Sequence, residues 1–189
     1  MNKIFGLLGQ LILVIVIGAS WYINGMNKVV IHDENVHKAW AQVDAQLQRR
    51  MDLIPNLVNT VQGYAAYEKS VFENVTNARS QWAGAKTIDD KVKAATSMDS
   101  AIARLLMVVE NYPTLKASEN FRALQDQLEG TENRIAVERM RYNQEVNAFN
   151  AYIRTVFGVV FAKARGLDKP AVYFEGAKGS EKVPEVKFK

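Results

Sequence analysis

The feature that most constrains this chain is a stretch near its N-terminus that carries no charged side chain. Residues 4–27 contain no Asp, Glu, Lys or Arg, and residues 4–23 read IFGLLGQLILVIVIGASWYI. Twenty residues of α-helix extend about 30 Å, which is the thickness of the hydrocarbon layer of a bilayer. Trp21 and Tyr22 stand at the end of the run, where aromatic rings favour the membrane interface. We therefore predict a transmembrane anchor over residues 1–27.

A cleaved signal peptide is the alternative interpretation of this stretch. Gly18 and Ser20 are small residues of the kind that precede a cleavage site, but Ala-x-Ala is absent there. The apolar run is also longer than the apolar core of a usual signal peptide. We therefore favour an anchor that is retained in the mature protein.

Beyond the anchor, apolar residues recur three and four positions apart, which is the pattern of amphipathic helices. Three long helices are predicted: one from an N-cap at Asp33 to about Trp82, one from a cap at Thr87 to the stop at Asn111-Tyr112-Pro113, and one from a cap at Ser118 to Phe157-Gly158. Pro55 lies inside the first helix and is expected to kink it without ending it, because the periodicity resumes in phase.

The expected fold is all-α. It consists of an N-terminal transmembrane helix, an elongated antiparallel bundle of long helices over residues 28–165, and an extended basic tail over residues 166–189. A turn signal at Asn24-Gly25 predicts a break between the anchor and the bundle. The second helix is too short to cover the other two, so their apolar stripes need a further partner. That partner is the other long helix, in an antiparallel coiled coil, or another copy of the chain in a homo-oligomer.

Seven polar residues fall close to the apolar stripes of the two long helices when residues are placed at about 100° intervals. They are Arg50, Glu68 and Arg79 on the first helix and Glu132, Arg139, Asn143 and Asn150 on the third. Charges at such positions are costly unless they are paired, so we expect ion pairs or amide hydrogen bonds between helices. Specification of helix register and partner is the favoured interpretation. A proton-handling or ligand site is the alternative.

A second polar set, Asp52, Asn56, Asn59 and Gly63, lies on the side of the first helix opposite its apolar stripe. A solvated surface is the simplest interpretation. However, Asn and Gly are poor helix formers, and their clustering beside Pro55 weakens the helix. These four residues therefore form a candidate interaction face for a partner protein or a neighbouring subunit.

The residue types needed for most catalytic and metal sites are scarce. The chain has no cysteine and two histidines, His32 and His37. The lack of cysteine excludes disulfides, thiol nucleophiles and Cys-ligated metals. The histidines are five residues apart, so they share a helix face poorly. Motifs of hydrolases, nucleotide-binding loops and metalloproteases are also absent from the sequence. We therefore expect no enzymatic activity, no cofactor and no metal.

The net charge is +4, but basic and acidic side chains balance over residues 28–162, and the excess lies in Lys3 and the tail. A nucleic-acid-binding domain carries a basic face with interleaved aromatic residues, so no nucleic-acid partner is expected. A solvated end is the simplest interpretation of the tail. Its alternative is weak attraction to anionic lipid headgroups, which makes membrane lipid an expected partner.

Two segments resemble signature blocks of the LemA family of bacterial membrane proteins. They are AWAQVDAQLQRRMDLIPNLVNTVQGYAAYEKSVFENVTNAR, residues 39–79, and NYPTLKASENFRALQDQLEGTENRIAVERMRYNQEVNAFN, residues 111–150. The resemblance implies a short N-terminal membrane anchor and a bundle of long helices. It departs after the third helix, where relatives often have Phe-Pro and this chain has Phe157-Gly158. This departure leaves the direction of the chain after that helix open.

The resemblance implies no enzymatic activity, because the family has no agreed biochemical role. Some members are linked to the shaping of intracellular membranes such as magnetosomes. We therefore expect a non-catalytic, single-pass scaffold that self-associates and organises or shapes the bacterial inner (cytoplasmic) membrane. The short start that bears Lys3 resembles a signal anchor, so the body is expected on the extracytoplasmic side. The alternative is an adaptor or sensor that binds another membrane protein, such as a protease, through Asn56 and Asn59.

Overall fold

The computed structural model describes the backbone of residues 2–174 and the side chains of residues 7–174. Within this range the chain forms helices and no strand, so the predicted all-α fold is confirmed. The helices are α1 (Asn2–Gln62), α2 (Lys69–Gly84), α3 (Ile88–Val109), α4 (Pro113–Lys116), α5 (Glu119–Ile153) and α6 (Gly158–Arg165). Residues 175–189 of the predicted basic tail, with Lys178, Lys182, Lys187 and Lys189, lie outside the described residues.

Helix α1 runs without interruption from the predicted anchor into the predicted bundle. It contains an 18-residue window with a mean hydropathy of 1.8, none of which is buried, so it is long and apolar enough to cross a membrane. The break predicted at Asn24-Gly25 and the N-cap predicted at Asp33 are wrong. The Asn24 side-chain Nδ2 donates to the Ser20 carbonyl oxygen at 2.9 Å, so Asn24 lies inside the helix. Gly25 does not form a turn. Its lack of a side chain lets the ring of Phe161 pack directly against the backbone of α1.

The first predicted helix ends earlier than expected, because α1 stops at Gln62 and does not continue to Trp82. Residues 63–68 form a tight connection in which the Ala65 N–H donates to the Val61 carbonyl oxygen at 2.9 Å. Ala65 is fully buried in this connection. A buried apolar residue therefore still occupies the expected position, and the periodicity does not reveal the break.

Pro55 lies within α1 and does not end it, as predicted. The stripe of buried residues on α1 continues on both sides of Pro55. Ile54 and Leu57 are 1% and 0% exposed. Packing of this stripe therefore outweighs the loss of one backbone donor inside the helix.

Local chemistry sets the starts of α3 and α5 where the sequence predicts them. The Thr87 Oγ1 atom accepts a hydrogen bond from the Asp90 N–H at 3.1 Å, and acidic residues occupy the first turn of α3. The helix ends at Val109, before the predicted stop. Ser118 caps α5, because its Oγ accepts from the Phe121 N–H at 3.3 Å. Both predicted caps are therefore confirmed.

The third predicted helix is shorter than expected. Helix α5 ends at Ile153 rather than at Phe157, and the Thr155 Oγ1 atom then accepts a hydrogen bond from the Gly158 N–H at 3.0 Å. This turn starts α6, which the sequence analysis does not predict. Helix α6 ends at Arg165 and is capped by Gly166, whose positive φ of 70° is a left-handed conformation that glycine adopts without steric cost.

The chain divides into two compact units. The first unit combines the N-terminal segment up to Ala39 with Asn143–Ala171. The second unit combines Trp40–Tyr142 with the segment that begins at Val172. The core of the first includes Val29, Val146, Phe149, Ile153 and Phe161. In the second, α2 packs against α3, and its core includes Leu47, Ile54, Leu57, Met98, Leu105, Leu115 and Ile135.

Candidate functional site

The second unit contains four charged side chains from three helices that contact one another, and we call them the ion cluster. Arg50 of α1 donates through Nη1 to Asp99 Oδ1 on α3 and to Glu132 Oε2 on α5, both at 2.7 Å. Arg139 of α5 donates through Nη2 to the second oxygen of Asp99, Oδ2, at 3.2 Å. Asp99 therefore lies between two guanidinium groups, and the cluster ties three helices together.

The burial of the ion cluster decides its energetic role. The Arg50 side chain is 9% exposed and that of Arg139 is 18% exposed, whereas the carboxylate of Glu132 is 45% exposed. The Nε atoms of both arginines are buried without a hydrogen-bond partner among the described residues. The Arg139 guanidinium also lies 4.1 Å from the ring centroid of Phe174. Such buried pairs add little net stability but penalise any arrangement that separates them.

The structure brings together three of the seven predicted polar residues, Arg50, Glu132 and Arg139, and adds Asp99. The sequence analysis misses Asp99. The signal is present, because Asp99 lies seven residues after Val92 and three before Ile102, so it falls on the apolar stripe of α3.

The other four predicted residues lie elsewhere. Glu68 directly precedes α2 and is half-buried. Arg79 is exposed on α2. Asn143 and Asn150 belong to the first unit.

Asn150 makes its own connection within the first unit. Its side chain is buried, its Nδ2 donates to the Ala171 carbonyl oxygen at 2.9 Å, and its Oδ1 accepts from the Ala171 N–H at 2.8 Å. The amide of Asn150 thus pairs with a backbone residue as another peptide group would. This contact holds the segment that follows α6 against α5.

Tyrosine hydroxyls also fix the chain in each unit, from a buried Tyr142 and a half-buried Tyr152. The Tyr142 hydroxyl donates to the Val172 carbonyl oxygen at 2.8 Å in the second unit, and burial raises the pKa of Tyr142 to about 12. In the first unit the Tyr152 hydroxyl donates to the Gly25 carbonyl oxygen at 3.1 Å, and burial raises its pKa as well. Both hydroxyls are therefore neutral donors at neutral pH.

The candidate interaction face is exposed, as a docking surface requires. Asp52, Asn56 and Asn59 are exposed on α1, and Gly63 is exposed directly after it. The Asp52 carboxylate accepts a hydrogen bond from Gln48 Nε2 at 2.9 Å. These polar groups are available to a partner that approaches from solvent.

A groove of about 590 Å³ opens beside this face. Its apolar lining includes Met51, Ile54, Val75 and Trp82, which are buried and expose only a small part of their surface. Its polar lining includes Gln48, Asn59, Thr76, Arg79, Ser80 and Lys91. An apolar floor with a polar rim suits an amphipathic segment of another protein.

Lys91 is held in place at the edge of this groove. Its Nζ atom donates to both carboxylate oxygens of Asp44, at 2.7 and 2.8 Å. The same nitrogen lies 5.2 Å from the ring centroid of Trp82, within the range of a cation–π contact. These contacts join α1, α2 and α3 and fix that edge of the groove.

The part of the chain that the structure describes contains no group of three or more His, Asp and Glu side chains that could hold a metal ion. Arg50 and Arg139 of the ion cluster both contact carboxylates. The arrangement is suited to holding helices and to binding another chain.

Comparison with known proteins identifies relatives of this chain. Residues 39–188 match the LemA family. Magnetosome protein MamQ 2 from Paramagnetospirillum magneticum is 27% identical over 153 residues, which cover 67% of this chain and 56% of the relative. Magnetosome protein MamQ from Magnetospirillum gryphiswaldense is 24% identical with the same coverage. Protein LemA from Metamycoplasma hominis is 24% identical over 155 residues, which cover 80% of this chain and 70% of the relative.

The chain spans 56% of the length of the MamQ relatives it matches, so nearly half of each relative has no counterpart in the alignment. The names of these relatives record no enzymatic activity. The matched residues include the ion cluster, the groove and the candidate interaction face. The resemblance inferred from residues 39–79 and 111–150 is confirmed, and the chain belongs to the LemA family.

Proposed function

We propose that this chain is a non-catalytic scaffold, anchored in the bacterial inner membrane by α1, that self-associates and organises or shapes that membrane. The observation that carries the proposal is the exposure of the N-terminal half of α1. Nine aliphatic residues between Leu7 and Ile17 are 52% to 67% exposed, and none of the apolar window is buried against the rest of the chain. Such a surface is unfavourable in water and stable in a bilayer.

The aromatic end of this segment supports the same arrangement. Trp21 and Tyr22 are 51% and 46% exposed at the point where the apolar run ends. Rings in this position favour the boundary between lipid and water. Lys3 precedes the span, and the proposal has the body on the extracytoplasmic side.

A labelling experiment tests this sidedness. The chain has no cysteine, and Met107 is 67% exposed in the second unit. Met107→Cys in intact cells should react with a membrane-impermeant maleimide if the body is extracytoplasmic. Reaction only after the inner membrane is permeabilised would place the body in the cytoplasm.

Self-association and membrane organisation rest on the surfaces of the second unit and on the relatives. The interaction face and the groove are both accessible from solvent. Three relatives carry the name magnetosome protein. The charges of the ion cluster pair with one another, which favours a structural use over a catalytic one.

The first test is the mass of the full-length protein in detergent by light scattering, followed by electron imaging of the same sample. A large closed assembly supports the scaffold. A monomeric mass at every concentration would rule it out.

An adaptor that binds another membrane protein is the second candidate, and the groove beside Asn59 favours it. The double variant Asn56→Ala/Asn59→Ala should then lose a partner that wild-type protein recovers in pull-downs, with helicity unchanged. Asn74→Ala/Asn77→Ala is the matched control, because these are two exposed asparagines on α2 of the same unit. Equal recovery by both double variants would count against the adaptor.

A further inference from the structure

The turn between α5 and α6 lies beside the end of the apolar span within the first unit. The ring of Phe157 is 4.9 Å from that of Trp21 between centroids, in an edge-to-face arrangement. The ring of Phe161 is 5.4 Å from Trp21 and 5.7 Å from Tyr22. These contacts fix the turn and the start of α6 at the level of the two aromatic residues that end the span.

The same turn exposes apolar side chains that the first unit does not cover. Val156 is 82% exposed, Phe157 58%, Val160 56% and Val159 37%. Phe161 and Ala162 are buried on the other side of α6, with Phe161 seated on Gly25. The short helix therefore has one face against α1, and the apolar side chains of the turn and of its other face stay largely exposed within the described residues.

The α5–α6 turn and α6 carry basic and no acidic side chains, and Asp168 is the first acidic residue after them. Between Arg154 and Leu167 the sequence contains three basic residues, Arg154, Lys163 and Arg165, and no acidic residue. All three basic side chains are exposed. Exposed Val and Phe flanked by Lys and Arg are typical of segments that lie in the interfacial layer of a membrane with anionic lipids.

We propose that residues 154–165 form a second membrane contact, in which the apolar side chains of the α5–α6 turn enter the interfacial layer of the leaflet that contains Trp21. This inference rests on the proposed anchoring by α1, because the position of Trp21 defines the level of the interface. The occupant of the exposed face is lipid, since the face is continuous with the lipid-exposed surface of α1 through Trp21 and is rimmed by positive charge.

Single-cysteine labelling tests the proposal on the full-length chain, which has no cysteine of its own. Val160→Cys is labelled with an environment-sensitive fluorophore and reconstituted in phosphatidylcholine–phosphatidylglycerol vesicles. Quenching by nitroxide-labelled lipid and by aqueous iodide is then measured. Ile31→Cys is the matched control, because Ile31 is 57% exposed on α1 of the same unit and lies about 15 Å beyond Trp21 at 1.5 Å per residue.

We expect about twofold stronger lipid quenching and weaker iodide quenching at position 160 than at position 31, because an interfacial segment sinks its apolar face about 5–10 Å. Iodide quenching at position 160 equal to that at position 31 would overturn the inference. Shielding from both quenchers would also overturn it, because it would indicate a second copy of the chain on this face.

A third label separates this inference from the proposed function. Ile12→Cys reports the anchor, since Ile12 is 55% exposed within the span. If the label at position 12 is quenched by lipid and that at position 160 is not, the anchor stands and only the second contact is wrong. If the label at position 12 is not quenched by lipid, the anchoring fails and the second contact fails with it.

Discussion

The two units of the chain are held together by different kinds of contact. The first unit, which contains the apolar span, is held together by neutral groups. The Phe161 ring packs on Gly25, the Asn150 side-chain amide bonds to the backbone of Ala171, and the Tyr152 hydroxyl bonds to the Gly25 carbonyl oxygen. The second unit relies on charges, with Asp99 shared by two arginines. Neutral contacts avoid the desolvation of ions beside lipid, whereas ion pairs discriminate strongly between correct and incorrect helix partners.

The largest effect is expected from removing the shared carboxylate of the second unit. Asp99→Ala leaves Arg50 paired only with Glu132 and leaves Arg139 without its carboxylate. Since the largely buried guanidinium of Arg139 loses its carboxylate and the buried one of Arg50 loses one of two, we expect the free energy of unfolding to fall by about 3 kcal/mol. Thermal and denaturant unfolding of the detergent-solubilised protein, followed by circular dichroism, measures this change.

The control for this prediction is Asp89→Ala. Asp89 also pairs with a cation, Lys93, at 2.6 Å, but that pair is exposed on the surface of α3. Exposed pairs contribute little to stability, so the control should lose much less than Asp99→Ala. Equal losses in the two variants would show that burial does not set the strength of the ion cluster.

A smaller effect is expected from disturbing the close packing of the first unit. A Cβ atom at Gly158 would overlap the carbonyl oxygen of Tyr152, and backbone has little freedom to move away. Gly158→Ala should therefore lower the free energy of unfolding by about 2 kcal/mol through overpacking. The same unfolding measurement checks it.

The matched control has the opposite expected sign. Gly130 lies inside α5 with nothing within 4 Å of an added Cβ atom. Gly130→Ala should stabilise the chain by about 1 kcal/mol, because alanine loses less conformational entropy in a helix than glycine. If Gly158→Ala stabilised the protein as well, the close packing of the α5–α6 turn would be refuted.

The smallest effect concerns a neutral contact inside the charged unit. Tyr142→Phe removes the hydrogen bond to the Val172 carbonyl oxygen and should cost about 1 kcal/mol near neutral pH. Because burial raises the pKa of Tyr142 from 10.0 to about 12, the unfolded chain loses this proton at lower pH than the folded chain. The contribution is fully present below pH 10 and is lost as the pH rises through 12.

Unfolding measured from pH 8 to pH 12 checks the alkaline part of this prediction. Tyr142→Phe should lose stability less steeply above pH 10 than wild-type protein does. Tyr67→Phe is the control, because Tyr67 is 96% exposed. Identical alkaline slopes in wild-type protein and Tyr142→Phe would contradict the assignment.

Features set by neighbouring residues were predictable from the sequence. Thr87 and Ser118 cap their helices because the hydroxyl of each accepts a hydrogen bond from the N–H three residues later. This contact involves only residues that are close in the sequence. The unburied apolar span was predictable for the same reason, since its length and lack of charge are local properties. The helical class of the fold therefore follows directly from the printed residues.

Features set by distant residues were not predictable in the same way. Asn24-Gly25 has the composition of a turn, but Phe161, far along the chain, uses the glycine as a packing site and the helix continues. The interruption after Gln62 is hidden because Ala65 is buried where the helical pattern requires an apolar residue. Neither outcome can be read from a window of adjacent residues.

The seat of Phe161 on Gly25 has a consequence for how LemA-family sequences diverge. The two positions are 136 residues apart in the chain but share one volume, so a side chain gained at one must be matched by atoms lost at the other. Position 25 precedes the residues that match the family, so we expect a larger residue at position 25 to occur with a smaller one at position 161 in those relatives that align over both positions. In aligned sequences, this pair should therefore covary in size while the sum of the two volumes stays nearly constant.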